Sequence, residues 1–140
     1  MSQDKTDYHE QQVMDRVFDN AAPDGAVDGC HVALWATSPA NNPDTANEID
    51  GNQYSPVQVP AAEWSLATAA NPRQYENDNE IDFGALDDSS QITIEGVVLY
   101  DGADTSTANA LYADALTETK TVDAGDEFKF NPGDLDVSED

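Results

Sequence analysis

The sequence predicts a mainly β domain, an antiparallel β-sandwich or jelly roll of about seven or eight short strands with one N-terminal amphipathic helix. Apolar residues alternate with polar ones in short runs, and turn-forming residues separate these runs about every 8 to 12 residues. No helical pattern connects successive strands, which argues against a parallel α/β sheet. At 140 residues the chain is long enough for one domain with a modest core.

The helix is predicted over residues 8–20. Asp7 precedes Glu10 by three positions, which is the spacing of a capping box, and Pro23 with Gly25 ends the pattern. The apolar face of this helix must pack on its own domain or on a neighbouring subunit, and the pattern leaves both alternatives open. The apolar residues at helical spacing, which are interface candidates, are Val13, Met14, Val17 and Phe18.

The next segment, "GCHVALWATS", predicts a strand that is covered on both faces. Val32 and Leu34 would lie on one face, and Ala33 and Trp35 on the other. A long polar loop, residues 38–53, follows this strand. Loops of that length in a compact domain are usually functional or are ordered by a neighbour.

Three short apolar segments follow. "YSPVQVP" is extended, but Pro56 and Pro60 restrict it to a sheet edge or a bulge. "AEWSLA" predicts a strand with Trp64 and Leu66 on one face, and "IDFGAL" predicts another strand. Residues 69–80, between these two, are predicted to form a second exposed loop.

"SSQITIEGVVLYDG" contains the strongest strand signal in the chain. Ile92, Ile94, Val98 and Tyr100 stand at even spacing, which predicts a shared face. Gly96 lies between them and predicts either a bulge or a close backbone approach.

Residues 110–130, "ALYADALTETKTVDAGDEFKF", predict a returning strand and then a hairpin whose turn contains glycine. Lys120 and Lys129 are predicted to pair with neighbouring acids and are interface candidates. The segment that contains Leu135 and Val137 is predicted to pair with a strand near the end of the chain. The predicted core or interface residues of this segment are Leu111, Leu116, Val122, Phe128 and Phe130.

These elements predict four parts of the chain: a polar tail at 1–7, the helix at 8–20, a β-sandwich domain at 29–137 and an acidic end at 138–140. No apolar stretch is long enough to span a membrane, and the polar start lacks the pattern of a secretory signal.

The charge of the chain is strongly negative. Acidic residues number 29 and basic residues 5, which gives a formal net charge of −24. Phosphate binding needs clustered Lys and Arg, so the composition argues against nucleic acid as a partner. Because the apolar residues are concentrated in strand-like runs, the composition favours a folded protein working in molar salt over a disordered chain. Such a fold is expected to loosen in dilute buffer.

Catalytic and metal-binding patterns are weak. His9 and His31 have no ligand-spaced companions, which argues against a zinc site. Cys30 and His31 are adjacent strand residues and point to opposite faces, so Cys30 is predicted to be a small core residue. The sequence therefore predicts no enzyme activity and no cofactor.

Seven segments in order, the N-terminal helix and six that follow it, resemble a family of small tailed-phage virion proteins that are labelled tail fibre or head decoration protein. These six are "HVALWATSP", "NEIDGNQYSPVQV", "AEWSLA", "IDFG", "ITIEGVVLYDGA" and "LYADALTETKTVDAGDEFKF", and the resemblance spans residues 8–137. The chain departs from the family pattern in two ways. It has "EIDGNQY" in place of a glycine run, and it has many more acids, which suggests a haloarchaeal tailed virus.

The resemblance implies a non-enzymatic virion protein that is assembled in the host cytoplasm. The leading hypothesis is a capsid turret or decoration protein that forms a trimer or pentamer and contacts the major capsid protein. One alternative is a tail or baseplate component. Another is a receptor- or glycan-binding adhesin, in which the loops at 38–53 and 69–80 would present Trp35, Tyr54 or Tyr75. Tyr54 and Tyr75 are therefore interface candidates as well.

Overall fold

The computed structural model describes residues 4–18, 29–69 and 73–139. Within these ranges the chain forms one α-helix and ten β-strands. The helix, α1, spans Asp7–Phe18. The strands are β1 (Asp4–Lys5), β2 (Cys30–Trp35), β3 (Val57–Val59), β4 (Trp64–Thr68), β5 (Arg73–Asn77), β6 (Ile81–Ala85), β7 (Ile92–Tyr100), β8 (Ala110–Val122), β9 (Glu127–Phe130) and β10 (Asp136–Glu139).

The strands form three sheets in which every pair is antiparallel. The largest sheet has the order β1-β8-β7-β2-β3, a second has the order β10-β5-β4, and β6 pairs with β9. The predicted mainly β, antiparallel class with one N-terminal helix is confirmed. Two predicted boundaries shift, because Asp4–Lys5 pairs with β8 instead of forming a tail, and β10 extends to Glu139.

The five-stranded sheet is covered on both faces, as the alternation in β2 predicted. Val32 and Leu34 belong to the main core, whereas Ala33 and Trp35 belong to a second cluster on the opposite face. The main core also takes side chains from the two-stranded sheet. Its buried members include Val59, Ile81, Phe83, Leu86, Ile94, Val97, Leu99, Val122, Phe128, Phe130 and Leu135.

In strand β7, the residues that face the main core change at Gly96 from even-numbered to odd-numbered positions. The pairing with β8 shifts register between Ile94 and Gly96, so the predicted shared face of the evenly spaced residues is wrong. A Cβ atom on Gly96 would lie 2.3 Å from Cδ of Pro39, so glycine here serves both the bulge and a close approach. Ile94, Val97 and Leu99 face the main core, and Val98 and Tyr100 face the second cluster.

The predicted hairpin within residues 110–130 is also wrong. β8 pairs with β7 and β9 pairs with β6, so the turn at Asp123–Asp126 carries the chain from one sheet to another. Gly125 has φ +81° and donates its N–H to the carbonyl of Asp87 at 2.7 Å. Val122 and Phe128 are both buried in the main core, so both strands contribute side chains to the same core.

The three-stranded sheet contains a strand that the sequence did not predict. β5 lies within residues 69–80, which were predicted as a loop, and it pairs with β4 on one side and β10 on the other. Its sequence, RQYEN, has no apolar alternation, so its extended conformation comes from its two neighbours. The predicted pairing near Val137 is confirmed, since Val137 lies opposite Tyr75.

Asn77 anchors this sheet to the C-terminal segment. The side chain is 1% exposed, and its Oδ1 accepts the N–H of Leu135 at 3.0 Å. Its Nδ2 donates to the carbonyls of Asn79 at 2.7 Å and Asn131 at 3.0 Å. These bonds satisfy a buried amide that would otherwise destabilise the fold.

Candidate interaction surfaces

The start of α1 packs on its own domain. Thr6 caps the helix, because its Oγ1 accepts the N–H of His9 at 3.3 Å and its carbonyl accepts the N–H of Glu10 at 2.9 Å. This corrects the predicted cap at Asp7. The Thr6 hydroxyl also donates to the carbonyl of Ala110, and Thr6 itself is only 2% exposed. The buried threonine therefore fixes the helix N-terminus against β8.

The apolar stripe of α1 is only partly described. Val13 is 39% exposed. The side chains of Met14, Val17 and Phe18 lie outside the described residues, and their role at an interface stays a prediction. His9, in the first half of the helix, contacts Tyr112 of β8 with ring centroids 4.9 Å apart. The first turns of α1 therefore pack on their own domain.

An uncharged cleft of about 190 Å³ lies between the helix start and two loops. Tyr100, which stacks on Trp35 at a centroid distance of 6.0 Å, contributes to its lining. Burial raises the pKa of Tyr100 to about 12, so its hydroxyl remains protonated at neutral pH. The lining residues are Thr6, Tyr8, Asn41, Asn42, Pro43, Thr45, Tyr100, Thr105, Ala108, Asn109 and Ala110.

Most of this lining was not singled out by the sequence, because its residues come from α1, the loop at 38–53 and the turn after β7. Among the described residues, no side chain that lines the cleft bears a charge, although the chain as a whole carries −24. Amide and hydroxyl groups without charges suit a neutral polyhydroxylated ligand better than an ion.

A half-buried carboxylate, that of Glu48, joins the two loops beside the cleft. Thr105 donates its hydroxyl to Oε2 of Glu48 at 3.0 Å, and Tyr54 also hydrogen-bonds this carboxylate. Burial raises the pKa of Glu48, and the hydrogen bonds oppose that rise. Tyr54 also accepts the N–H of Leu34 at 3.0 Å and is largely enclosed by the fold. Its role at an interface stays a prediction, and its hydroxyl connects the backbone of Leu34 to the carboxylate of Glu48.

Trp35, one of the three aromatic residues that the adhesin hypothesis offered, is fully buried and so cannot present its ring at a shallow site. Tyr75 does reach the surface. It is 39% exposed and lies directly opposite Leu66, which is 41% exposed. The sequence placed Leu66 on a strand but did not predict it at a surface. The signal that could have indicated it is the acid-free stretch 64–75, "WSLATAANPRQY".

Both predicted lysines lie near acids at the surface. Nζ of Lys129 is 3.1 Å from Glu80, and Nζ of Lys120 is 3.5 Å from Glu118. The hydrogen bond to Glu80 raises the pKa of Lys129. Because these side chains are at least 43% exposed, the pairs contribute little to the free energy of unfolding.

Among the described residues, no group of three or more His, Cys, Asp or Glu side chains is arranged to hold a metal ion. Burial raises the pKa of the Cys30 thiol to about 11, which leaves little of the reactive thiolate at neutral pH. In the same part of the chain, no helix combines the length and apolar character that crossing a membrane requires.

Comparison with known proteins gives one family. A family model described as "Podophage GP4 fiber I protein gp80" matches residues 4–138, from the first strand to the last. No curated protein matches the sequence.

Proposed function

The chain belongs to the family of podophage GP4 fiber I protein gp80, and on that premise we propose that it is a non-enzymatic structural protein of a tailed-virus virion. The observation that carries this proposal is the extent of the family match, which includes all three sheets. We place the protein in the tail, as a homo-oligomeric fibre component that contacts other virion proteins. This order reverses the ranking from the sequence, where a capsid turret stood first, because the family description names a fibre.

Immunogold labelling of purified virus particles in molar salt tests this position. An antibody against this chain is expected to label the tail or its tip, and an antibody against the major capsid protein provides the head control. Label over the head would favour a turret or decoration protein instead. Intact particles without label, in a preparation where the control antibody binds, would contradict the virion role.

We also propose that the virus infects a haloarchaeal host, and the net charge of −24 supports this. At molar salt the Debye length falls to about 3 Å, so repulsion between surface acids is largely screened. In dilute buffer this repulsion returns, and the fold is expected to loosen. Near-ultraviolet circular dichroism during dialysis from molar KCl to dilute buffer measures the change. Unchanged spectra and an unchanged urea midpoint would contradict the halophilic assignment.

A second function is favoured by the uncharged cleft. Its amides and hydroxyls fit a neutral saccharide on the host surface, which would make the protein a receptor-binding part of the fibre. Asn42→Ala is expected to weaken binding to host surface glycans in isothermal titration calorimetry, whereas Asn79→Ala, outside the cleft, serves as the control. Equal affinities, or no binding by the unchanged protein, would remove this function.

A further inference from the structure

We propose that β4 is a self-association strand: its outer edge pairs antiparallel with β4 of a second copy, across a two-fold axis near Leu66. This inference goes beyond the proposed function and does not depend on where the protein sits in the virion. It depends on three properties of β4, which are its position at a sheet edge, its lack of protective residues and its lack of charge.

The hydrogen-bond pattern shows which backbone groups of β4 point outward. Asp78 donates its N–H to the carbonyl of Glu63 at 2.8 Å, so the carbonyl of Glu63 points toward β5, while the N–H of Glu63 donates to the carbonyl of Pro60 at 2.9 Å. In an antiparallel ladder, residues whose backbone groups point toward the partner strand alternate with residues whose groups point away. The C=O group of Trp64 and the N–H and C=O groups of Leu66 therefore point away from β5. The N–H of Trp64 is already used, because it donates to the carbonyl of Ala61 in the turn before the strand. Among the described strands, none pairs with that side of β4.

The other edge strands carry devices that prevent pairing between molecules. β3 is flanked by Pro56 and Pro60, and both residues of β1 are charged. β6, β9 and β10 each contain at least one charged residue. Proline and charge are the usual protection of sheet edges. β4, with the sequence WSLAT, has neither.

The side chains on one face of β4 extend past the core. Trp64 packs against the main core, but Leu66, two residues further along the same face, is 41% exposed beside Tyr75 at 39%. A second copy placed across the edge would add its own Leu66 and Tyr75 to this row. The pairing would then bury apolar surface and satisfy outward backbone groups together.

The distribution of charge selects a second copy as the occupant. Every copy carries −24, so most surfaces of two copies repel each other. Residues 64–75 contain no acid, and this stretch includes all of β4. A basic partner would be attracted to the acidic surfaces instead. An acid-free edge is the place where a like-charged copy can approach, and an antiparallel contact of a strand with itself is isologous.

Sedimentation equilibrium of the purified chain in molar KCl tests the inference. The unchanged protein is expected to form dimers or larger even-numbered assemblies. Leu66→Asp and Leu66→Lys are both expected to weaken association by at least about tenfold, because either substitution places two like charges near each other across the two-fold axis. Thr119→Asp, an exposed position on β8, is the matched control and should associate like the unchanged protein.

The two substitutions at Leu66 distinguish a second copy of this chain from a different partner at the edge of β4. If Lys strengthened association while Asp weakened it, β4 would contact a different, acidic surface, and the isologous contact would be contradicted. A monomeric unchanged protein, or association that neither substitution weakens, would also overturn the proposal. Circular dichroism of each variant checks that the fold is retained. If Leu66→Asp fails to fold, Leu66→Lys is compared with the unchanged protein alone, and association that Leu66→Lys does not weaken overturns the proposal.

Discussion

The five-stranded sheet is covered on both faces, whereas the three-stranded sheet has a face that extends past the core. Trp35 is completely buried in the first, on the face opposite the main core. Leu66 and Tyr75 in the second remain about two-fifths exposed. Large apolar side chains are therefore buried in the five-stranded sheet, where they stabilise the domain, and partly accessible in the three-stranded sheet. The difference indicates that the five-stranded sheet supports the fold and that the three-stranded sheet supplies the surface for assembly.

The same truncation in the two sheets gives the largest expected contrast. Leu99→Ala in β7 should lower the free energy of unfolding by about 2–5 kcal/mol, because Leu99 is 1% exposed and its removal leaves a cavity. Leu66→Ala in β4 should lower it by less than about 1 kcal/mol. Urea unfolding in molar KCl, at concentrations where the chain is monomeric, measures both. Equal losses would show that Leu66 is part of the stabilising core.

The three-stranded sheet should nevertheless be sensitive at its buried anchor. Asn77→Ala leaves the N–H of Leu135 and the carbonyl of Asn131 without their partner, and we expect a loss of about 1–3 kcal/mol. Asn79→Ala is the control, because that residue contributes its backbone carbonyl to the network. If both variants unfolded at the same urea concentration as the unchanged protein, the anchor would contribute little.

The smallest expected effect concerns the half-buried carboxylate of Glu48 beside the five-stranded sheet. Burial raises the pKa of Glu48 in the folded state, so its contribution to stability is greatest at low pH and is lost as pH rises through the folded pKa. Protonation of Glu48 should raise the free energy of unfolding as the pH falls from 7 to 4. Glu48→Gln should remove this gain, which we expect to be less than about 1 kcal/mol because solvent still screens the group. Glu118→Gln, at an exposed site, should leave the gain unchanged.

Urea midpoints for the three proteins at both pH values give this difference directly. Subtracting the behaviour of Glu118→Gln removes the general effect of neutralising one acid in a chain that has 29. A Glu48→Gln variant whose midpoint shifts with pH as much as that of the unchanged protein would contradict the assignment.

Strong local patterns predicted much of the fold. Alternation in β2 predicted its two covered faces, and Pro56 with Pro60 predicted an edge strand. The glycine at position 96 predicted the bulge, but the residues that change face around it follow from the register of β8, which no local pattern contains. β5 was missed for the same reason, since its strand conformation depends on β4 and β10.

The surfaces were harder to predict than the core. The stretch 110–130 has the local features of a hairpin, yet β9 pairs with β6 instead of β8, and its Phe128 and Phe130 are buried in the main core. The lining of the cleft comes from parts of the chain that are distant in sequence, so it could not be assembled without the topology. Exposure of Leu66 likewise depends on where the core ends, and composition indicates only that acids are missing nearby.

The pairing of β1 with β8 has a consequence for the order in which the chain closes. Thr6 hydrogen-bonds the carbonyl of Ala110, a residue 104 positions later, so β1 can pair with β8 only after β8 has been synthesised. Contacts this far apart in sequence form slowly, since a long loop must close before they contribute. During synthesis the edge of β8 and the start of the helix are therefore expected to join the domain late. A fusion or truncation at the N-terminus would affect this closing step as well as the finished fold.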